Sequence, residues 1–237
     1  MAEDFQELFD EGPQPEKPPP EYPVINWEGI EVRLLNVHHS LWGERLWEAG
    51  KIMFKIIRDN MYGVDVSGKT CIEFGAGVGL PSICCSLKGA KNVVSTDYPD
   101  QNLVDNLAYN VLKYKNTKVI GYQWGKDLEP VLKLNNGEKF DVAILSDLVF
   151  NHPCHLQLLQ SLDGCLKRDG FALVTFTHHR PHLIKEDLHF FKLAKKKFGF
   201  NVEELGTVKH KPMFDNDLGP VEIRSTAHIC RLTYANP

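Results

Sequence analysis

Apolar and polar residues alternate from Val24 to Val37, with Ile30, Val32 and Leu34 on one side and Glu31 and Arg33 on the other. With Trp27-Glu28-Gly29 as a turn, that period of two predicts an N-terminal β-hairpin. The period then changes, because Met53, Phe54 and Ile57 recur at three- and four-residue spacing and predict a helix. From Cys71 onward short apolar runs and striped helices take turns. Strands are expected at Cys71–Phe74, Val93–Thr96, Lys118–Tyr122, Asp141–Leu145 and Phe171–Phe176. Asp141–Leu145 is too apolar for a surface strand and should be central. Helices are marked by Ile83, Cys84 and Leu87, by Leu103, Leu107 and Val111, and by Leu156, Leu159, Leu162 and Leu166. The last of these is expected to end at Lys167, Arg168 and Gly170, with cations and then a glycine at its carboxyl end. One more helix carries Leu188, Phe191, Ala194 and Phe198 and closes at Lys195-Lys196-Lys197 and Gly199. Two final strands, near Phe200–Thr207 and Ile223–Tyr234, have no helix expected between them and should pair antiparallel. Right-handed crossovers between the earlier strands then give a three-layer α/β/α sandwich on a seven-stranded, mostly parallel sheet.

The most specific stretch is Cys71-Ile72-Glu73-Phe74-Gly75-Ala76-Gly77-Val78-Gly79-Leu80-Pro81. An apolar strand meets a glycine at every second position, and Pro81 suits the first turn of a helix. After the next strand Asp97 follows at once. A carboxylate about twenty residues beyond such glycines sits where nucleoside-binding folds hydrogen-bond ribose hydroxyls. Dinucleotide sites favour G-x-G-x-x-G, whereas here the spacing is E-x-G-x-G-x-G, led by Glu73. That form resembles motif I of the class I, Rossmann-like methyltransferases that bind S-adenosylmethionine. The resemblance implies that an acid complements the cationic amino-acid end of the ligand. The alternative is a glycine turn that serves only the fold.

Composition narrows the class. The 237 residues allow one α/β domain with a short appendage, and 43% hydrophobic with 24% charged residues is ordinary for a globular protein. A net charge of −4 does not indicate a broad nucleic-acid surface. No apolar run approaches the roughly 20 residues of a membrane span. Ala2-Glu3-Asp4-Phe5 lacks the basic and apolar regions of a signal peptide, and the six cysteines show neither a C-x-x-C pair nor a disulfide spacing. The expected compartment is therefore cytoplasmic. Residues 1–23 hold six prolines and seven acids against the single base Lys17, the composition of a disordered tail. Phe5, Leu8 and Phe9 lie in it at helical spacing. The domain is expected to span 24–237 and to include the hairpin.

Chemistry should gather beyond the carboxyl ends of the strands. The turn Gly75–Gly79, Asp97-Tyr98, Trp124-Gly125 and Ser146–Pro153 converge there, and Trp124 offers an indole for an adenine ring. A carboxylate directly after a buried strand is poorly explained by packing, so Asp147 is a candidate site residue. His152-x-Cys154-His155 and His178-His179-x-x-His182 match no standard metal spacing, and no metal is expected.

Leu41-Trp42-Gly43-x-x-Leu46-Trp47, the glycine turn, Thr96-Asp97-Tyr98-Pro99-Asp100, Trp124-Gly125 and Asp147-x-x-Phe150 resemble the seven-strand protein-lysine methyltransferases of family 16. Members of that family carry a tyrosine three residues after the acid, where this chain has Phe150. Ser146–His152 and Phe176-Thr177-His178-His179-Arg180-Pro181 are similar to a fungal branch of the family. That branch methylates the N-terminus and adjacent lysine of translation elongation factor 1A. Carried over, the resemblance implies S-adenosylmethionine contacts at Trp47, Gly75, Ala76, Gly77, Asp97, Trp124 and Ser146. It also implies substrate orientation by Asp147, His178, His179 and Arg180, with no obligatory catalytic acid or base assigned. The loop Lys209–Pro220 is a second rim element. Elongation factor 1A is the implied partner of a monomeric enzyme, without nucleic acid or membrane. The alternatives are another protein lysine, nicotinamide, and a cofactor-binding interaction module that does not catalyse.

Overall fold

A computed structural model describes residues 22–36, 45–213 and 219–235. Most of the tail 1–23, the stretch Leu41-Trp42-Gly43 and residues 214–218 of the second rim loop lie outside them.

The alternating segment is a hairpin, β1 (Val24–Trp27) and β2 (Ile30–Arg33), paired antiparallel with Trp27 opposite Ile30. Helix α1 (Glu48–Arg58) follows, then β3 (Thr70–Phe74), α2 (Leu80–Leu87), β4 (Asn92–Asp97), α3 (Gln101–Val111), β5 (Thr117–Gly121) and α4 (Glu129–Lys133). The second half comprises β6 (Phe140–Ser146), α5 (His155–Cys165), β7 (Leu166–Thr177), α6 (Ile184–Phe198), β8 (Phe200–Lys209), α7 (Val221–Arg224) and β9 (Thr226–Tyr234). One seven-stranded sheet runs in the order β5-β4-β3-β6-β7-β9-β8, parallel from β5 to β7 and closed by the antiparallel pair β9 and β8.

The sheet is buried on both faces because successive side chains of its central strands point opposite ways. Cys71, Val93, Val142 and Ile144 join a core with Ile56 and Ile57 of α1, Ile83 of α2 and Leu107 of α3. Their neighbours Ile72, Val94, Ala143 and Leu145 join a second core with Val131 of α4, Leu158 and Leu162 of α5, and Phe190 of α6. The chain runs outward through β3, β4 and β5, then crosses to the other side of β3 as β6. That reversal opens a crevice at the carboxyl ends of β3 and β6, where ligands of such sheets lie.

Three boundaries differ from expectation. Helix α5 stops at Cys165, and Lys167, Arg168 and Gly170 belong to β7, where Leu166 already pairs with Phe140. The Lys167 ammonium meets the Asp141 carboxylate at 2.7 Å, a contact across strands that local helix preference cannot register. No helix is expected between the last two strands, yet the four-residue helix α7 lies there and takes Ile223, so β9 begins at Thr226. Helix α4, five residues long, is too short to show a period.

Candidate active site

Strand β3 delivers the glycine turn to the crevice. Gly75, Gly77 and Gly79 take φ of 57°, 55° and 80°, the left-handed region that side chains resist. Around Gly77 the space for a side chain is open, so its backbone faces the crevice bare. Ala76 N–H donates to Thr96 O at 2.9 Å and ties the turn to β4. Glu73 is buried, and its Oε2 accepts from the backbone N–H of Ser82 at 2.9 Å and from Ser82 Oγ at 2.5 Å. The acid that leads the motif thus holds one amide of the first turn of α2, together with the hydroxyl of the same serine. Burial pushes its carboxyl up to about 8, against the opposing pull of the Ser82 bonds.

Asp97 closes β4 with both carboxylate oxygens fixed by backbone. Gly77 N–H donates to Oδ2 at 2.6 Å and Tyr98 N–H to Oδ1 at 2.7 Å. The two bonds hold the carboxylate in a set orientation in the cavity wall. Asp100, three residues on, accepts from the N–H groups of Asn102 and Leu103 and caps α3. After β5, Gly125 N–H donates to Ser161 Oγ of α5 at 2.8 Å, which fastens the loop that carries Trp124.

Asp147, directly after β6, is a non-glycine residue at φ 57°, buried to 4% exposure. Its backbone N–H donates to Thr175 O at 2.7 Å, and its Oδ1 accepts from Thr177 N–H at 3.1 Å. His179 Nε2 meets Oδ2 at 3.0 Å. A buried charge on a strained backbone persists only where its surroundings hold it, and both features concentrate at functional sites. Aromatic rings surround it: Trp47 stacks on Phe150 at 5.6 Å between centroids, and His179 stands edge-on to both at 5.4 and 6.0 Å. Phe150, in place of the family's tyrosine, supplies a ring face without a hydroxyl.

These parts enclose one cavity of about 290 Å³, near the lower bound for small-ligand sites. Trp47, Gly75, Ala76, Gly77, Asp97, Trp124, Ser146 and Asp147 all line it. Of the other expected substrate residues, His178, His179 and Arg180 are not among the lining residues, and only His179 bonds to one that is, Asp147. His178 turns instead to α6, where its Nδ1 meets Asp187 Oδ2 at 2.6 Å. Arg180 is exposed. Asp187 Oδ1 also meets His152 Nε2 at 2.6 Å, so one buried carboxylate clasps the loops after β6 and after β7. Nothing in the sequence marked Asp187, because its partners lie 35 and 9 residues away. Asn151, Cys154 and Gln157 also line the wall. The described residues contain no group of three or more His, Cys, Asp or Glu side chains able to hold a metal.

The cavity fits S-adenosylmethionine in its donor set. Ser146 Oγ is buried with no partner among the described residues, and it sits in the cavity wall. The oriented Asp97 carboxylate and the bare Gly77 backbone line the same cavity. The sequence model of the lysine methyltransferase family matches residues 28–197. The chain belongs to the lysine methyltransferase family. The protein N-terminal and lysine N-methyltransferase of Schizosaccharomyces pombe is 40% identical, over 96% of this chain and 94% of its own. That of Candida albicans is 41% identical, over 94% and 93%. Among solved structures, a methyltransferase-like protein bound to S-adenosylhomocysteine superposes with TM-score 0.61 at 12% identity, covering 92% of this chain and 57% of that one. Trm5b of Pyrococcus abyssi superposes with TM-score 0.56 at 18% identity, covering 90% and 56%. This lysine methyltransferase family member is an S-adenosylmethionine-dependent enzyme on the class I fold.

Proposed function

We propose that the enzyme methylates the N-terminal α-amine and the adjacent lysine of translation elongation factor 1A. The relatives named above act, by their names, on protein N-termini and lysines. The elongation factor is favoured by Ser146–His152 and Phe176–Pro181, the stretches similar to the branch that uses it. The observation that carries the reading is Asp147, a buried carboxylate in the cavity wall beside Trp47 and Phe150.

S-adenosylmethionine supplies a methyl group already activated on a sulfonium. The protein's work is alignment and control of one proton. Asp97, the Gly75–Gly77 backbone, Trp124 and Ser146 are assigned to holding the cofactor. Asp147 receives the incoming ammonium by charge and hydrogen bond, and the rings of Trp47 and Phe150 favour a cation over their faces. The nitrogen must lose its proton before it can react. A free α-amine titrates near pH 8 and a lysine near 10.4; desolvation lowers both, the Asp147 carboxylate opposes it, and the proton leaves to water before the nitrogen attacks the methyl carbon and S-adenosylhomocysteine departs. The α-amine therefore needs less help, which suits an enzyme that starts at a chain end.

In this reading the acidic residues 1–23 attract a basic chain end, and the enzyme acts as a cytoplasmic monomer. Transfer of labelled methyl to a cell lysate tests it. The elongation factor should dominate the labelled proteins, and nicotinamide should be turned over far more slowly. Comparable turnover of nicotinamide would defeat the proposal, and an absence of transfer would favour a cofactor-binding module.

A further inference from the structure

The N-terminal hairpin lies outside the cavity: none of its described residues, 22–36, lines the wall. Its attachment nevertheless converges on the glycine turn. Helix α3 presents Asn106 and Asn110 one turn apart, both buried. Asn110 treats Arg33 as a neighbouring strand would, with its Oδ1 accepting from Arg33 N–H at 2.7 Å and its Nδ2 donating to Arg33 O at 2.9 Å. Asn106 repeats the pattern, accepting from Arg33 Nε at 2.8 Å and donating to Arg33 O at 3.0 Å. The Arg33 guanidinium lies between the rings of Tyr22 and Tyr109, 4.2 and 3.8 Å from their centroids. Four hydrogen bonds and two ring contacts for one residue are far more than a surface hairpin needs.

The same Asn110 Nδ2 also donates to Val78 O at 3.1 Å. Val78 belongs to the glycine turn and lines the cavity. The turn packs closely on α3: a side chain on Gly79 would stand 2.6 Å from Leu107 Cδ1 and 3.2 Å from Val111 Cγ1. A single buried amide thus joins the hairpin's last strand residue to the backbone that faces the cofactor.

We infer that Asn110, with Arg33 docked on it, is a positioning residue for S-adenosylmethionine, and that hairpin docking and cofactor binding are coupled. Asn110 fixes the Val78 carbonyl, which sets the path of the Gly77–Gly79 backbone. Arg33 in turn fixes Asn110, because a side-chain amide with three partners has one orientation. Coupling is reciprocal, so the cofactor must tighten the hairpin as the hairpin tightens the site.

Two measurements test this. Asn110→Asp keeps an acceptor for Arg33 N–H but replaces the donor that holds Val78 O. Calorimetry should show S-adenosylmethionine binding weakened about tenfold, the worth of one buried hydrogen bond. The KM for the protein substrate at saturating cofactor should be unchanged, and Arg33→Ala should weaken cofactor binding by about threefold through its lost ring and Nε contacts. A purely structural role would lower thermal stability without this split between cofactor and protein KM. The second measurement uses the wild-type protein, so it stands if the variants fold poorly. Hydrogen exchange at the Arg33 amide should slow at least about threefold on saturation with cofactor, beyond any change at amides of the β8–β9 pair, which lies at the far edge of the sheet. Unaltered affinity in Asn110→Asp, or an Arg33 amide indifferent to the cofactor, would overturn the coupling.

Discussion

Replacing Asp97 by alanine removes the group that most directly links the turn to the cavity. In the structure the carboxylate accepts from Gly77 N–H and Tyr98 N–H at 2.6 and 2.7 Å and lines the cavity. If the oriented carboxylate receives the ribose hydroxyls, the variant loses charge-assisted hydrogen bonds, each worth about 1.5–3 kcal/mol. Some of that returns when water solvates the freed hydroxyls, so the net loss of cofactor affinity should be roughly 2–4 kcal/mol, or about 30- to 1000-fold in Kd. The fold should survive, because Asp97 ends its strand at the rim of the crevice and the two freed amides can turn to water. Titration calorimetry with S-adenosylmethionine reads the affinity, and thermal unfolding checks that the protein is intact. Asp97→Asn, which keeps one acceptor oxygen, should fall between wild type and alanine. A folded Asp97→Ala protein that binds the cofactor within about twofold of wild type would remove this residue from the site.

Three other outcomes follow from particular groups. Glu73 keeps its proton in the folded state until about pH 8, whereas the unfolded chain loses it near the ordinary value of 4.5; between those values the native state binds more protons, so stability of the cofactor-free enzyme should fall as pH rises from about 4.5 to 8. Glu73→Gln should flatten that part of the profile of melting temperature against pH, and an unchanged slope would show that the buried carboxyl does not cause it. Asp147→Asn preserves shape and suits the left-handed backbone, so it should leave cofactor affinity alone while lowering kcat/KM on the protein substrate roughly 10- to 100-fold, the loss of one charged hydrogen bond; steady-state rates at saturating cofactor decide. Deletion of residues 1–21, which spares Tyr22 beside Arg33, should leave cofactor binding intact and cut methylation of the elongation-factor N-terminus severely, and a truncated enzyme with full activity on the intact protein would make the tail a mere linker.

Much of the sheet was legible because its central strands carry short apolar runs set between striped helices, and because glycines and acids punctuate the points where they meet. Asp97 and Asp147 stood out as carboxylates directly after buried strands, where packing alone does not call for charge. What escaped was whatever depends on partners distant in sequence. The β7 start at Leu166 is set by Phe140 and by the contact of Lys167 with Asp141, so a cationic helix ending was inferred where a strand begins. His178 looked like a rim residue because it adjoins His179, yet alternation along the end of β7 sends the two to opposite sides, one to Asp187 and one to Asp147. Glu73 leads the glycine motif and lines the cavity, while its Oε2 is committed to Ser82, a partner nine residues on. Asn106 and Asn110 carried no signal, since their partner Arg33 lies 73 and 77 residues away.

The measurement that bears most directly on the whole account is mass spectrometry of the N-terminal peptide of elongation factor 1A after incubation with the enzyme and S-adenosylmethionine. Fragmentation should place added methyl groups on the α-amine and on the adjacent lysine, and the Asp147→Asn enzyme should add far fewer. An unmodified N-terminal peptide, with methyl groups found on another lysine or another protein, would contradict the assignment of this substrate.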